Sequence, residues 1–445
     1  KGMSFSLTPT LYLLKSVASG RIYQDDGWML DPDSESQPSL LRTLYSSTRI
    51  HLRDKKNGLY QYADWMPIRR ILNGSAPPIT YRSKNLAEVI GLRYLWITFS
   101  GYWPEKGSMM KTCTFKETEA YSVCARLPEN TQQILVVASA GNTARAFARV
   151  CSDNQIPLLL CVPVDNIDVL WSDQPFLPCV KLICTDSGSD YSDAIYLSNL
   201  AVSTNGFLAE GGAKNVARRD GMASTFLSAT HAIGQIPDYY FQAIGSGTGA
   251  IAAWEANLRF IEDGRYGQHK TKLMLSQNEP FTPMYDSWKA GSRELLPLDE
   301  EEAHHQIAQM YSKVLSNRKP PYSIAGGLFD ALTDTNGDIL KVNNHAAIVA
   351  TELFNQTEGI DIHPAAGVAT ASLIQAIDAG LISSEANVML NITGGGEKIL
   401  QSQHKLYYLE PSRIFSASPH QEEVSDFIKF LFRDYLKQYA LGEVK

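Results

Sequence analysis

Tyr239-Tyr-Phe-Gln-Ala-Ile-Gly245-Ser-Gly247-Thr-Gly249-Ala-Ile reads as an apolar strand that runs into a glycine-rich turn and then a helix. Glycines let the backbone approach an anion closely. The first turn of a helix adds unpaired N–H groups and the positive end of its dipole. The stretch therefore predicts an α/β architecture with a phosphate site at the carboxyl end of a strand. It does not say whose phosphate. Gly245-x-Gly247-x-x-Ala250 also fits a dinucleotide fingerprint, which wants a carboxylate ending the next strand. Here the next apolar run, residues 272–276, is followed by Gln277-Asn278, with Glu279 only after it. On the glycine turn alone, a nicotinamide-dependent oxidoreductase and a merely structural turn both stay open.

On either side the same rhythm repeats. Short apolar, β-branched runs at 95–99, 134–138, 157–162, 180–184, 239–244, 272–276 and 388–392 predict strands. Helical patterns fill the gaps at 143–151, 191–203, 217–233, 250–262, 346–354 and 367–379. Continuous apolar strands alternating with amphipathic helices imply parallel sheets covered on both faces. Residues up to about 78 read as irregular and polar, with 31–37 a loop, and 291–325 read as a long surface excursion. The tail at 420–441 reads as one amphipathic helix packing on the domain or on a partner subunit.

At 445 residues the chain is too long for one core. With 44% hydrophobic and 20% charged residues it has the balance of a soluble globular protein. The net charge of −7, from 40 basic against 47 acidic residues without a long basic run, argues against a nucleic-acid partner. No apolar run is long enough for a membrane span. Lys1-Gly2 ahead of Met3 reads as an addition before a natural start, and no signal peptide follows, so the expected location is cytoplasmic. The six cysteines form no C-x-x-C pair, and no metal is expected.

Three further segments carry candidate chemistry. Ile134-Leu-Val-Val-Ala-Ser-Ala-Gly141-Asn142-Thr143-Ala-Arg145 is a second strand, polar turn and helix, in which Asn142 is either a helix cap or an amide aimed at a ligand. Lys111-Thr-Cys-Thr114-Phe115-Lys116-Glu117 places a lysine near a helix start. Leu390-Asn391-Ile-Thr393-Gly394-Gly395-Gly396 ends a strand in a hydroxyl and three glycines. Singly, each has a bland reading: a cap, a solvated lysine, a flexible turn.

In linear order (lysine, asparagine turn, glycine loop, strand-end threonine), these pieces resemble the fold type II family of pyridoxal-5'-phosphate (PLP) enzymes, and within it the threonine synthase group. Tyr60-Gln-Tyr-Ala-Asp64-Trp65-Met-Pro67, Asn215-Val-Ala-Arg218-Arg219-Asp220-Gly221 and Glu358-Gly359-Ile-Asp-Ile-His363-Pro364-Ala365 are similar to segments of that group. The resemblance spans roughly residues 40 to 397. It implies a tryptophan synthase β-like fold, with two three-layer α/β domains and the active site between them. The expected division is an N-terminal extension at 1–80, a large PLP-binding domain at 81–125 and 212–445, and a smaller α/β domain at 126–211. By the same resemblance Lys116 carries PLP covalently and acts as the base at the substrate Cα. Gly245, Ser246, Gly247, Thr248 and Gly249 hold the cofactor phosphate, Asn142 the ring hydroxyl, and Thr393 the pyridine nitrogen. Thr143, Asn215 and Arg218 meet the substrate's anionic leaving group, with Arg145 a weaker candidate.

The sequence departs from threonine synthases beside the lysine, where Lys111-Thr-Cys-Thr-Phe-Lys116-Glu-Thr-Glu replaces Pro-Thr-Gly-Ser-Phe-Lys-Asp-Arg-Gly, and where 100–108 looks inserted. Ser39-Leu-Leu-Arg-Thr-Leu-Tyr-Ser46, Ser100-Gly-Tyr-Trp-Pro-Glu and Gly326-Gly-Leu-Phe-Asp-Ala-Leu332 are closer to the cysteate synthase subfamily. That resemblance implies β-replacement on O-phospho-L-serine by sulfite, a small anionic nucleophile that Lys106 and Lys111 could attract, in a homo-oligomer. Threonine synthase, or another β-replacement or β-elimination enzyme on a phosphorylated or acylated amino acid, is the alternative.

Overall fold

The computed structural model describes residues 8, 10–129 and 131–436. Two sheets organise them. The larger has six strands in the order Asp338–Val342, Lys272–Asn278, Tyr239–Ala243, Asn387–Ile392, Tyr94–Phe99 and Ile79–Arg82. The first five run parallel and the last antiparallel. Successive side chains alternate between two cores, as a sheet covered on both faces demands. Phe241, Met274 and Leu390 pack with Val368 and Leu373 of the helix Pro364–Asp378. Tyr240, Leu273 and Met389 pack instead with Phe226, Ile251 and Phe260.

The smaller sheet has five parallel strands, Phe207–Ala209, Ile134–Ala138, Leu158–Pro163, Val180–Thr185 and Arg413–Phe415. Leu135, Leu160 and Leu182 on its inner face join the same cluster as the inner face of the larger sheet, so one core runs between the two. On its outer face Val136, Leu159 and Ile183 meet Val424, Ile428 and Phe432 of the C-terminal segment. The expected division gave everything after residue 212 to the larger unit. The pairing of Arg413–Phe415 with Val180–Thr185 returns the last strand and the helix Gln421–Leu431 to the smaller one. A three-residue strand carries too little periodicity to be read, and part of the expected tail helix, 437–441, lies outside the described residues.

Two other expectations change. The segment before residue 78 is not irregular: Ile22–Tyr23, Tyr12–Ser16 and Leu41–Tyr45 form an antiparallel sheet. The expected helix at 217–233 is two, Val216–Met222 and Ser224–Ile233. Leu14 and Leu41 of the N-terminal sheet pack with Val216, and buried charges join it to the rest of the chain. Arg126, wholly buried, grips Asp25 through Nε and Nη2 at 3.1 and 3.0 Å and donates to the Met29 carbonyl. Buried Arg219 joins Glu255 at 2.9 Å and donates to the Leu41 carbonyl.

Burial pushes the Asp25 carboxyl up, but the Arg126 guanidinium more than offsets it and the pKa falls to about 2. A folded-state pKa below the unfolded value near 3.8 gives stability that is present above about pH 4 and lost as pH falls through about 2. Arg126→Leu should lower the unfolding free energy by about 3–5 kcal/mol at neutral pH, because the Asp25 charge stays buried beside only the more distant Arg69. Urea unfolding checks this, and the gap between wild type and variant should narrow from pH 4 to pH 2.

Candidate active site

A cavity of about 470 Å³ opens between the two sheets, at the carboxyl ends of Ile134–Ala138 and Tyr239–Ala243. It brings together Lys116, Asn142, Thr143, residues 245–249, Arg218 and Thr393. Among the described residues no Asp or Glu belongs to its lining, while Lys116, Lys214, Arg218 and Lys319 do. In a chain with a net charge of −7 the walls of this cavity are positive, and a low-dielectric cleft of one sign focuses the field on oppositely charged ligands.

Lys116 reaches the cavity through a backbone staple. The Phe115 N–H donates to the Thr393 carbonyl at 2.8 Å, and the Gly395 N–H donates to the Cys113 carbonyl at 3.1 Å. Cys113 is one of three non-glycine residues with positive φ among those described, at 57°, and the turn it makes opens the helix Lys116–Arg126. The Lys116 ammonium lies 5.1 Å from the Phe115 ring centre and has no hydrogen-bond or ion-pair partner among the described residues. Burial holds its pKa below the ordinary lysine value. Glu119 opposes the shift, Arg218 adds to it and Glu210 opposes it. A larger share of free amine at neutral pH suits both a nucleophile and a base.

The glycine turn is required by close approach. A Cβ at Gly245 would lie 2.9 Å from the Val314 carbonyl oxygen, and one at Gly249 2.8 Å from Gln242 Nε2. Gly247, at φ 79°, starts the 16-residue helix Thr248–Asp263. The Thr248 N–H donates to Ser246 Oγ at 3.2 Å and the Ala250 N–H to the Gly247 carbonyl at 3.1 Å, which leaves the Gly249 N–H without a protein partner among the described residues. Ser246 Oγ and Thr248 Oγ1 stand 2.8 Å apart beside it. This is a cradle for a phosphate-sized anion. No carboxylate follows at the end of the next strand. Asn278 is buried there and hydrogen-bonded to Asn344, so a dinucleotide ribose would lack its acidic partner.

Asn142 is not the cap of its helix. Ser139 Oγ accepts from the Gly141 and Ala144 N–H groups at 2.9 and 3.0 Å, which leaves the Asn142 amide without a protein partner among the described residues. The Thr393 hydroxyl, just past the strand Asn387–Ile392, is likewise free, and the residue is only 9% exposed.

Asn215 is not brought to the other candidates. It is fully buried and absent from the cavity wall: Oδ1 accepts from the Ala217 N–H and Arg126 Nη1, while Nδ2 donates to the Glu210 carbonyl. Those bonds cap the helix Val216–Met222 and leave the amide little to offer a substrate. Arg218 lines the cavity, but its Nε and Nη2 are forked onto Glu210 at 2.9 and 2.7 Å, with Nε 3.4 Å from Glu119. Only Nη1 is left without a partner among the described residues. Arg145 lies neither on the surface nor at the cavity. It is 1% exposed, donates to the Thr112 and Val169 carbonyls, and stacks 4.6 Å over Trp171. Lys106 sits 4.6 Å over the Tyr81 ring and Lys111 3.5 Å from Asp173, both away from the cavity wall.

Some residues escaped the sequence reading. His363 lines the cavity, with Nε2 3.0 Å from Glu397 and its backbone N–H on the Gly394 carbonyl. It lies inside one of the motifs quoted above, so its position was visible but its role was not. Tyr191 and residues 314–317, 319–321, 323 and 324 also form the wall. The expected surface excursion at 291–325 therefore carries the helix Glu300–Gln309 and then closes one side of the cavity.

Residues 97–394 match the family model described as pyridoxal-phosphate dependent enzyme. The chain is 44% identical over 401 residues to the cysteate synthase of Methanosarcina acetivorans, covering 90% of this chain and 95% of the relative. It is 47% identical over 380 residues to that of Methanocella paludicola, covering 85% and 88%. Among solved structures, maize serine racemase superposes with a TM-score of 0.56 at 14% identity, over 73% of this chain and 91% of the racemase. Threonine deaminase isoform 2 of Solanum lycopersicum gives 0.53 at 14% identity, over 74% and 86%. At that identity the two structures speak for the fold alone, which is fold type II.

Among the described residues Arg218 is the only cation paired with Glu119 or Glu210, and both carboxylates are buried. Arg218→Met should therefore lower the unfolding free energy of the ligand-free protein by about 3–5 kcal/mol. Denaturant titration measures it. An unchanged midpoint would mean that the pair carries no weight and that Arg218 is free for a ligand.

Proposed function

The chain belongs to the pyridoxal-phosphate dependent enzyme family, and we propose that it is a cysteate synthase, converting O-phospho-L-serine and sulfite to L-cysteate and inorganic phosphate. The observation that carries the reading is its likeness to cysteate synthases along nine-tenths of its length. The carboxylate-free cavity suits it, because the amino acid, the nucleophile and the leaving group are all anionic. With that family the nicotinamide alternative falls away.

The residues present fit PLP. The cradle at 245–249 is sized for a phosphate, the Lys116 amine is uncommitted, and the Asn142 amide and Thr393 hydroxyl both lack protein partners. We assign Lys116 to the cofactor aldehyde, residues 245–249 to its phosphate, Asn142 to its ring hydroxyl and Thr393 to its ring nitrogen. When bound, PLP supplies the electron sink that lets the substrate lose its Cα proton and its Cβ substituent.

Everything else falls to the chain. The Lys116 amine, its pKa lowered by burial, takes the proton from Cα and later returns one. Thr143 and the free Nη1 of Arg218 face the departing phosphate as its C–O bond breaks. Sulfite then supplies the electron pair of the new C–S bond, so no oxidant or reductant is needed. Thr393 would offer the ring nitrogen a neutral hydroxyl, a partner that does not enforce protonation there. Asn215 acts one step back, capping the helix that carries Arg218.

The test is phosphate release from O-phospho-L-serine, crossed with sulfite, sulfide and water, with the amino-acid product identified by mass. Sulfite should give cysteate stoichiometric with phosphate, and O-phosphohomoserine should give little threonine. Efficient threonine formation would return the protein to the threonine synthase reading.

A further inference from the structure

The four cations on the cavity wall are not equivalent. The Lys214 ammonium lies 2.6 Å from Asp31, Arg218 is forked onto Glu210, and Lys116 is taken up by the cofactor under the reading above. Lys319 alone has neither a carboxylate partner nor an assigned task among the described residues.

Its surroundings fix its backbone and leave its charge uncommitted. A second cavity of about 240 Å³ adjoins the first, and Tyr191, Ile195, Ser316, Asn317 and Lys319 line both. Next to Lys319, Arg318 is clamped by Asp190, the cap of the helix Tyr191–Val202, and by Glu300 at 2.5 Å. The Lys319 N–H donates to Asn317 Oδ1 at 2.9 Å, and Pro320 and Pro321 restrict the chain beyond. The one acidic side chain on the wall of the second cavity is Asp190, which Arg318 already neutralises.

An ammonium without an internal counterion, held where two cavities meet, is placed to meet an anion that travels between solvent and the reacting carbon. We propose that Lys319 is the docking cation for a small dianionic oxyanion at this junction: the sulfite that enters or the phosphate that leaves. The inference rests on the reading given under Proposed function and adds a residue and a route to it.

The test uses the PLP-loaded enzyme with Lys319→Gln, which removes the charge at similar length, and Lys319→Arg, which keeps it. KM is measured for sulfite and for O-phospho-L-serine, together with product inhibition by phosphate. Calorimetric titration with inorganic phosphate and with sulfite, without turnover, gives a binding readout. Because the side chain is exposed, the glutamine variant should weaken oxyanion binding by roughly five- to twenty-fold, and arginine should restore most of it. A loss confined to sulfite assigns Lys319 to the entering nucleophile. A loss in phosphate inhibition or in KM for O-phospho-L-serine assigns it to the leaving group. All values within twofold of wild type in Lys319→Gln, or equal losses in both variants, would overturn the proposal. If wild type makes no cysteate the functional reading fails by itself, and the titrations still decide whether Lys319 holds an oxyanion.

Discussion

The pair of backbone hydrogen bonds between the 113–115 turn and the 393–395 turn is the constraint on which the site depends. These segments are separated by most of the chain, yet the two bonds fix the start of the Lys116 helix against the end of a central strand. Main-chain bonds suit the task because their geometry does not depend on a rotamer. The glycines on the 393 side make room. A Cβ at Gly394 would come within 2.3 Å of His363 Nδ1, and one at Gly395 within 2.6 Å of the Asp361 carbonyl oxygen. Arg145 steadies the other side by donating to the Thr112 carbonyl at 2.9 Å. It is a positioning residue, although its sequence suggested a ligand contact or a surface.

A second constraint is electrostatic. The chain carries more acid than base, and around the positive cavity four carboxylates are each held by a cation. Glu210 and Glu119 back onto Arg218, Asp31 holds Lys214 from outside, and Asp190 is covered by Arg318. Of these the Arg218 pairs have buried carboxylates; buried pairs add little net stability, and their removal in halves is what destabilises. Their contribution here is to leave N–H groups, hydroxyls and amines facing the cavity while keeping those side chains in one arrangement. Lowering of the Lys116 pKa by burial follows from the same design, with the neighbouring carboxylates limiting how far it falls.

What was legible in the sequence was local. A strand, a glycine turn and a helix start write their requirements into a dozen consecutive residues, so Tyr239–Ala243 with its turn, and Ile134–Ala138 with its turn, could be read directly. Lys116, Asn142 and Thr393 were candidates through the resemblance carried by their linear order, and the fold brings the three to one cavity. What could not be read locally is the set of contacts made with a distant partner. Asn215 faces Arg126 and the Glu210 carbonyl, so a motif match could not tell a ligand contact from a helix cap. Arg218 reads as a phosphate fork until Glu210 is seen in its grip. Arg413–Phe415 is too short to show an alternation, and its sheet is chosen by the Val180–Thr185 edge it meets. Residues 314–324 look like a surface loop in composition, and only the tertiary fold turns most of them into a wall.

The account stands on one amine being presented to the cofactor by the staple. Reduction of the PLP-loaded protein with borohydride, followed by peptide mapping, reads this directly. The pyridoxyl label should fall on Lys116 alone, in the peptide that contains Thr114 and Phe115. A label on Lys111, Lys214 or Lys319 would contradict the assignment of the site and the roles built on it.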